Sequence, residues 1–212
     1  MEFLGLEINI NTTIVVTWII MLALILFSLL VRKNLSKVPG TVQFMAEMLV
    51  EGSHWLVDST MGEGKRGFAP YIFTLTIYLV IANLIGLIGI RQPTADLNTT
   101  FALALVTFVL VHYHGIKAKG GLGYVKGFFE PLAFMFPLNI ISEIALPVSL
   151  SFRLFGNMLG SLIIMALLYA FAAPLIPIIG HMYFDIFAGL IQTFIFVMLT
   201  LTFITLQMGE ES

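Results

Sequence analysis

The chain has 212 residues, 59% of them apolar and only 10% charged, with a mean hydropathy of +1.02; a soluble domain carries about 25% charged residues, so water is excluded as the main solvent. The formal net charge of −2 gives no basis for nucleic acid or another polyanion as partner. Cysteine is absent, which excludes disulfides and thiolate metal sites.

Windows of about 20 apolar residues with little charge mark the candidate membrane spans. The first covers 13–31 and closes on Arg32 and Lys33. Glu2 and Glu7 precede it without any Lys or Arg, opposite to the basic start of a signal peptide, so it is read as a mature span. Pro39 and Gly40 then open a segment, 41–60, in which Gln43, Glu47, Glu51, His54 and Asp58 recur every three or four residues. That spacing predicts an amphipathic helix lying in the membrane interface, with Glu47 and Glu51 either solvated or bordering an ion path.

The second span covers 68–90 and ends at Arg91, and the third covers 97–116 and is followed by Lys117, Lys119 and Lys126. Glycines between Lys117 and Gly127 suggest a flexible connection. The fourth region, between Pro131 and Pro174, carries only Glu143 and Arg153. A helix over 136–171 would be about 54 Å long against a hydrocarbon core of about 30 Å, so it must tilt steeply or bend, with Pro147 as the candidate kink. The last span, 178–207, carries Asp185 and the titratable His181.

The expected fold is therefore an all-α membrane protein, one integral membrane domain over 1–212. It has five membrane helices plus one interfacial amphipathic helix, the last two spans long and strongly tilted. An outside N-terminus puts Arg32, Lys33, Lys37, Lys65, Arg66, Lys117, Lys119 and Lys126 inside and leaves only Arg91 outside, which the positive-inside rule favours. The C-terminus is then cytoplasmic.

On the fourth helix Asn139, Ser142, Ser149, Arg153 and Asn157 fall within an arc of about 80° if each residue turns by about 100°. Polar groups in lipid need partners or water, so a polar face several turns long implies either helix-to-helix hydrogen bonds or an ion path. Arg153 sharpens the choice, because an arginine near mid-membrane costs about 2.5–3.5 kcal/mol on insertion scales and keeps its proton. It needs an acidic partner. Glu143 lies about 15 Å away along the axis, out of reach, which leaves Asp185 on the last helix or a group from another chain. His181, Asp185 and Gln192, spaced by four and seven, share one face of that last helix. His112 and His114 lack a third ligand, so no metal site is expected.

The runs Pro137-Leu-Asn-Ile-Ile-Ser-Glu143 and Ser149-Leu-Ser-Phe-Arg153-Leu-Phe-Gly-Asn157 resemble the signature of subunit a of F-type ATP synthases. The resemblance extends to Asn83-Leu-Ile-Gly86, to Pro93-Thr-Ala-Asp96-Leu-Asn98, and to Gln192 within Ile191-Gln-Thr-Phe. It implies a stator subunit, not catalytic alone, that carries protons or sodium past a rotor ring of c subunits, beside peripheral-stalk b subunits and other ATP synthase subunits in a bacterial inner membrane. It implies no cofactor. Arg153 would face each passing rotor carboxylate as a gate, with Gln192 beside it. The outer half-channel would be bordered by Asn83, Asn157, Asp185 and Gln192, and the inner one by Asn139, Ser142, Glu143 and Ser149.

Two positions depart from some members: Leu162 stands where Glu or His is common, and Asp185 where His is found. Asp185 is therefore expected to supply the outer path's ionisable group. The rival readings are a self-contained channel or antiporter, for which paired broken helices and an internal repeat are missing, and an assembly scaffold, which gives no reason for Arg153.

Overall fold

A computed structural model describes residues 2–3, 6–7, 12–33, 40–62, 64–129, 133–171 and 175–209. Lys37, Pro39, Pro131 and Pro174, named above, lie outside them. Two dipeptide strands, β1 (Glu2–Phe3) and β2 (Leu6–Glu7), pair antiparallel; every other regular element is helical. Among the described residues, five helices are long and apolar enough to cross a membrane.

The first span is α1 (Thr12–Lys33). It sits at the periphery: Thr13, Val16 and Ile20 are buried, whereas Trp18, Ile19, Leu22 and Leu30 are exposed, as suits a lipid-facing helix. Next, α2 (Thr41–Met61) buries Ala46, Ser53, Val57 and Met61 and leaves Phe44 and Trp55 exposed. Asp58 on α2 accepts from Arg66 Nε at 2.9 Å, and that bond holds the Asp58 carboxyl below its usual range. The pair ties the interfacial helix to the start of the second span.

That span is α3 (Ala69–Leu84), which opens with a proline in its first turn, where the missing N–H has no intrahelical partner to lose. It continues in a tighter turn over Ile85–Ile88, and a left-handed Gly89 (φ 77°) ends it. A short loop leads to α4 (Leu97–Lys119), whose first turn is capped by Asp96 accepting from the Asn98 N–H at 2.9 Å. The glycine-bearing stretch after Lys119 is not a bare connection: Gly121–Gly127 forms a helix, α5. Tyr124 explains it, burying its ring at Gly115, where any Cβ would stand 2.9 Å from that ring. Burial first, and the Glu143 carboxylate second, push the Tyr124 phenol above its ordinary value.

The fourth span, α6 (Phe136–Phe171), is one helix of 36 residues that passes through Pro147 without a break. The last span has three parts: α7 (Leu175–His181), a π-helical turn over Met182–Ala188, and α8 (Gly189–Met208). Packing centres on α4, which lies against α6 and α8, with α3 closing on α8 from the other side. Val57, Leu79, Ala82, Val111, Leu154, Phe196 and Leu201 are the centre of the core. Between lipid-solvated helices such a core is held by close packing more than by the hydrophobic effect, because lipid tails are as apolar as leucine.

Candidate functional site

Three features of the spans are polar: a cluster where α3 meets the last span, a second cluster at the opposite end of α6 and α8, and Arg153 between them in sequence.

The first cluster begins with Asn83, which is fully buried. Its side-chain amide donates to Gly189 O and Thr193 Oγ1, both at 3.1 Å, and its Oδ1 accepts from Thr94 Oγ1 at 2.8 Å. Gly189 permits this approach, since a Cβ there would stand 3.1 Å from Asn83 Cβ. Gln92 crosses from the loop to the last span, its Nε2 donating to Asn83 O at 2.8 Å and to Asp185 Oδ1 at 3.0 Å. Asp185, only 4% exposed, also holds His181 Nδ1 at 2.5 Å through Oδ2. The other ring nitrogen of His181 lies 2.6 Å from the Tyr169 hydroxyl on α6. A continuous hydrogen-bonded chain thus leads from exposed Tyr169 to buried Asp185. One turn further along α8, Gln192 accepts from Asn157 Nδ2 at 2.5 Å, while its own Nε2 is buried with no hydrogen-bond partner among the described residues.

The second cluster centres on Glu143. Gln207 Nε2 donates to Glu143 Oε1, and His112 Nε2 stands 3.8 Å from Oε2, an oxygen with no hydrogen-bond partner among the described residues. Asn139 donates to Phe128 O at 2.8 Å, tying α6 to the segment after α5. The clusters are far apart: Glu143 and Asn157 are separated by about 21 Å along α6. Between them the inner faces carry Leu150, Leu154, Phe196, Val197 and Leu201, all buried. Ser151 and Thr200 interrupt that layer, but each is satisfied locally, Ser151 by Thr100 Oγ1 at 3.2 Å and Thr200 by Phe196 O at 2.9 Å.

Arg153 belongs to neither cluster. It is exposed on α6, and among the described residues it makes no ion pair. Asp185, one of its two candidate partners, is engaged by Gln92 and His181 instead. Ser142, Ser149 and Asn157 are exposed with it. Gly156 and Gly160 on the same helix have open space where a Cβ would project, so a neighbouring helix can come close there. No group of three or more metal-ligating side chains occurs among the described residues.

A sequence model of the family described as ATP synthase A chain matches residues 14–205. The chain belongs to this family. It is 37% identical to the ATP synthase subunit a, sodium ion specific, of Propionigenium modestum, over 95% of this chain and 75% of that protein. It is 40% identical to the ATP synthase subunit a of Moorella thermoacetica, over 93% of this chain and 90% of the relative. The same identity holds with that of Desulforamulus reducens, over 100% and 84%. As an ATP synthase A chain it is a multi-pass membrane subunit, not catalytic by itself, whose partners are other ATP synthase subunits.

Sequence reasoning missed Gln92, Thr94, Thr193 and Tyr169 in the first cluster and Gln207 in the second. Gln92 had one available signal, its place beside Pro93-Thr-Ala in a stretch resembling the family. Thr94 and Thr193 stand inside the quoted runs Pro93-Thr-Ala and Ile191-Gln-Thr-Phe, whereas Tyr169 and Gln207 are single polar residues whose partners lie on other elements, and spacing alone does not reveal them.

Proposed function

We propose that this chain is the ion-translocating stator subunit of a rotary ATP synthase, in which Arg153 gates two offset half-channels against a ring of c subunits. The observation that carries the reading is the exposed guanidinium of Arg153, which has no ion-pair partner among the described residues, while Glu143 and Asp185 are both engaged elsewhere. A permanent charge facing out of the helix bundle at membrane depth is tolerable only if a counter-charge comes to it. At about 4 Å and an effective dielectric near 20, two unit charges interact by about 4 kcal/mol, or about three pKa units. A rotor carboxylate reaching Arg153 would therefore give up its ion. Beyond the arginine it meets lipid, where an ionised carboxylate is unfavourable, so it must first reload.

The two polar clusters fit the two half-channels. Asn83, Asn157, Asp185 and Gln192 would border the outer one, with Gln92, His181 and Tyr169 joining them. The inner one would be bordered by Glu143 with Asn139, Ser142 and Ser149. The buried apolar layer between them, Leu150 and Leu154 on α6 with Phe196, Val197 and Leu201 on α8, supports the view that neither path crosses the membrane alone. A membrane potential would bias the direction by about 2.3 kcal/mol per charge per 100 mV. In this reading the N-terminus lies outside a bacterial inner membrane, the C-terminus is cytoplasmic, and peripheral-stalk b subunits hold the chain still against the rotor.

The test is Arg153→Ala in the assembled complex, read as ATP-driven ion uptake into inverted vesicles with and without sodium. Coupled uptake should vanish while ATP hydrolysis by the complex remains measurable, and retained pumping would refute the gate. The sodium arm reads the transported ion directly.

A further inference from the structure

Two cavities whose linings include neither Arg153 nor any residue of the two polar clusters meet at one residue. One, of about 540 Å³, opens at the end of the bundle where α3 begins and α4 ends, and it is lined by Lys65, Lys117 and His114. The other, of about 590 Å³, is a groove between α1, α3 and α4 with almost wholly apolar walls, among them Trp18, Leu24, Leu75 and Leu103. Tyr71 lines both. Along α4 the lining of one cavity follows that of the other at helical spacing, Lys117, His114 and Leu110 in the first and Val106, Leu103 and Asn98 in the second, over about 28 Å. That is close to the thickness of the hydrocarbon core.

Among the described residues no carboxylate pairs with the charge at the polar end. Neither Lys65 nor Lys117 forms an ion pair among the described residues, whereas the adjacent Arg66 is held by Asp58 at 2.8 Å. His114 donates from Nδ1 to Leu110 O at 2.9 Å, so its ring is fixed. Two ammonium groups at the membrane surface, opening directly into an apolar furrow as deep as a leaflet or more, have the chemistry of a phospholipid in reverse: cation for phosphate, hydrocarbon for acyl chain.

We propose that the two cavities form one binding site for an anionic phospholipid. Its phosphate sits between Lys65 and Lys117, and its acyl chains lie past Tyr71 in the groove between α1, α3 and α4. A single apolar helix from another subunit would fill the groove but leave the two lysines without a counter-charge, and free phosphate would satisfy the lysines but leave the groove empty. Only a molecule with both parts accounts for both cavities. The site is independent of the role given to Arg153, so either reading can fail alone.

The test uses the assembled ATP synthase in bilayers that contain a phosphatidylglycerol with a photoactivatable diazirine on its acyl chain, or the same probe with a phosphatidylcholine head. After illumination, digestion and mass spectrometry, the anionic probe should label the α4 peptide around Leu103 and Val106. The K65Q/K117Q variant should label about thirtyfold less, from the usual worth of two surface basic residues. K65R/K117R, which keeps the charge, should restore labelling, and millimolar inorganic phosphate should not displace the lipid. Equal labelling by the zwitterionic probe overturns the proposal, as does labelling indifferent to both lysines. Displacement by phosphate, or cross-links from the groove only to another subunit, would overturn it equally. Intact ATP-driven pumping in the variants reports that the complex has assembled.

Discussion

Gln92 shows how much a single side chain can hold. It is 4% exposed, and its one amide group satisfies both the main-chain carbonyl of Asn83 and a carboxylate oxygen of Asp185. Gly86 makes room for it, because a Cβ at that position would run into the Gln92 amide and stand 3.1 Å from Asp185 Oδ1. Replacing Gln92 by Leu leaves two buried acceptors without their donor, each such loss costing about 1–3 kcal/mol. The Asp185 carboxylate, no longer held from that side, should lose its fixed position beside His181. Gln92→Leu is therefore expected to lower ATP-driven ion uptake severalfold with the subunit still in the membrane. Asp185→Asn, which removes the ionisable group itself, should lower it further. Flux that survives undiminished in Asp185→Asn would remove this residue from the outer path and leave His181 and Tyr169 as its titratable groups among the described residues.

The helices differ in how plainly the sequence announced them. Along α6 the arc of Asn139, Ser142, Ser149, Arg153 and Asn157 is readable from spacing alone because the helix is regular from Phe136 to Phe171, and each residue turns by the expected angle. The last span is not regular. Its π-helical turn over Met182–Ala188 has no marker in the residues Met-Tyr-Phe-Asp-Ile-Phe-Ala, which would suit an ordinary helix equally well. Such turns hold one residue more than an α-helix needs and recur at functional sites. Here the turn contains Asp185 and places it against Gln92 while Gln192 stays buried on the following helix. Deleting the exposed Phe187 should let the segment relax to an α-helix and move Asp185 out of the position beside Gln92 in which the π turn holds it. The expected result is loss of ion uptake with α8 still inserted and the complex still able to hydrolyse ATP. Wild-type pumping by the deletion would show that the turn has no part in positioning the path.

At the scale of the whole molecule the decisive pattern is the uneven placement of positive charge, which is legible in the residues themselves because it depends on composition and not on contacts. Arg32, Lys65, Arg66, Lys117, Lys119 and Lys126 stand at one end of the spans, and Arg91 stands alone in the loop at the other. Contacts were less legible for the same physical reason: α4 packs on α6 and α8 through small and aliphatic residues that read alike in any lipid-embedded helix. Charge asymmetry in short loops sets orientation during insertion, so the end carrying Lys126 should be cytoplasmic and the end carrying Arg91 external. The absence of cysteine makes this directly measurable. Arg91→Cys and Lys126→Cys each introduce one thiol at an exposed position in an otherwise thiol-free chain. A membrane-impermeant maleimide should label the first only in right-side-out vesicles and the second only in inverted ones. Arg91→Cys also removes the one positive loop charge on the outer side, so by the same rule it should strengthen the orientation it reports, and labelling from the opposite side in either variant would reverse the assignment of outer and inner paths.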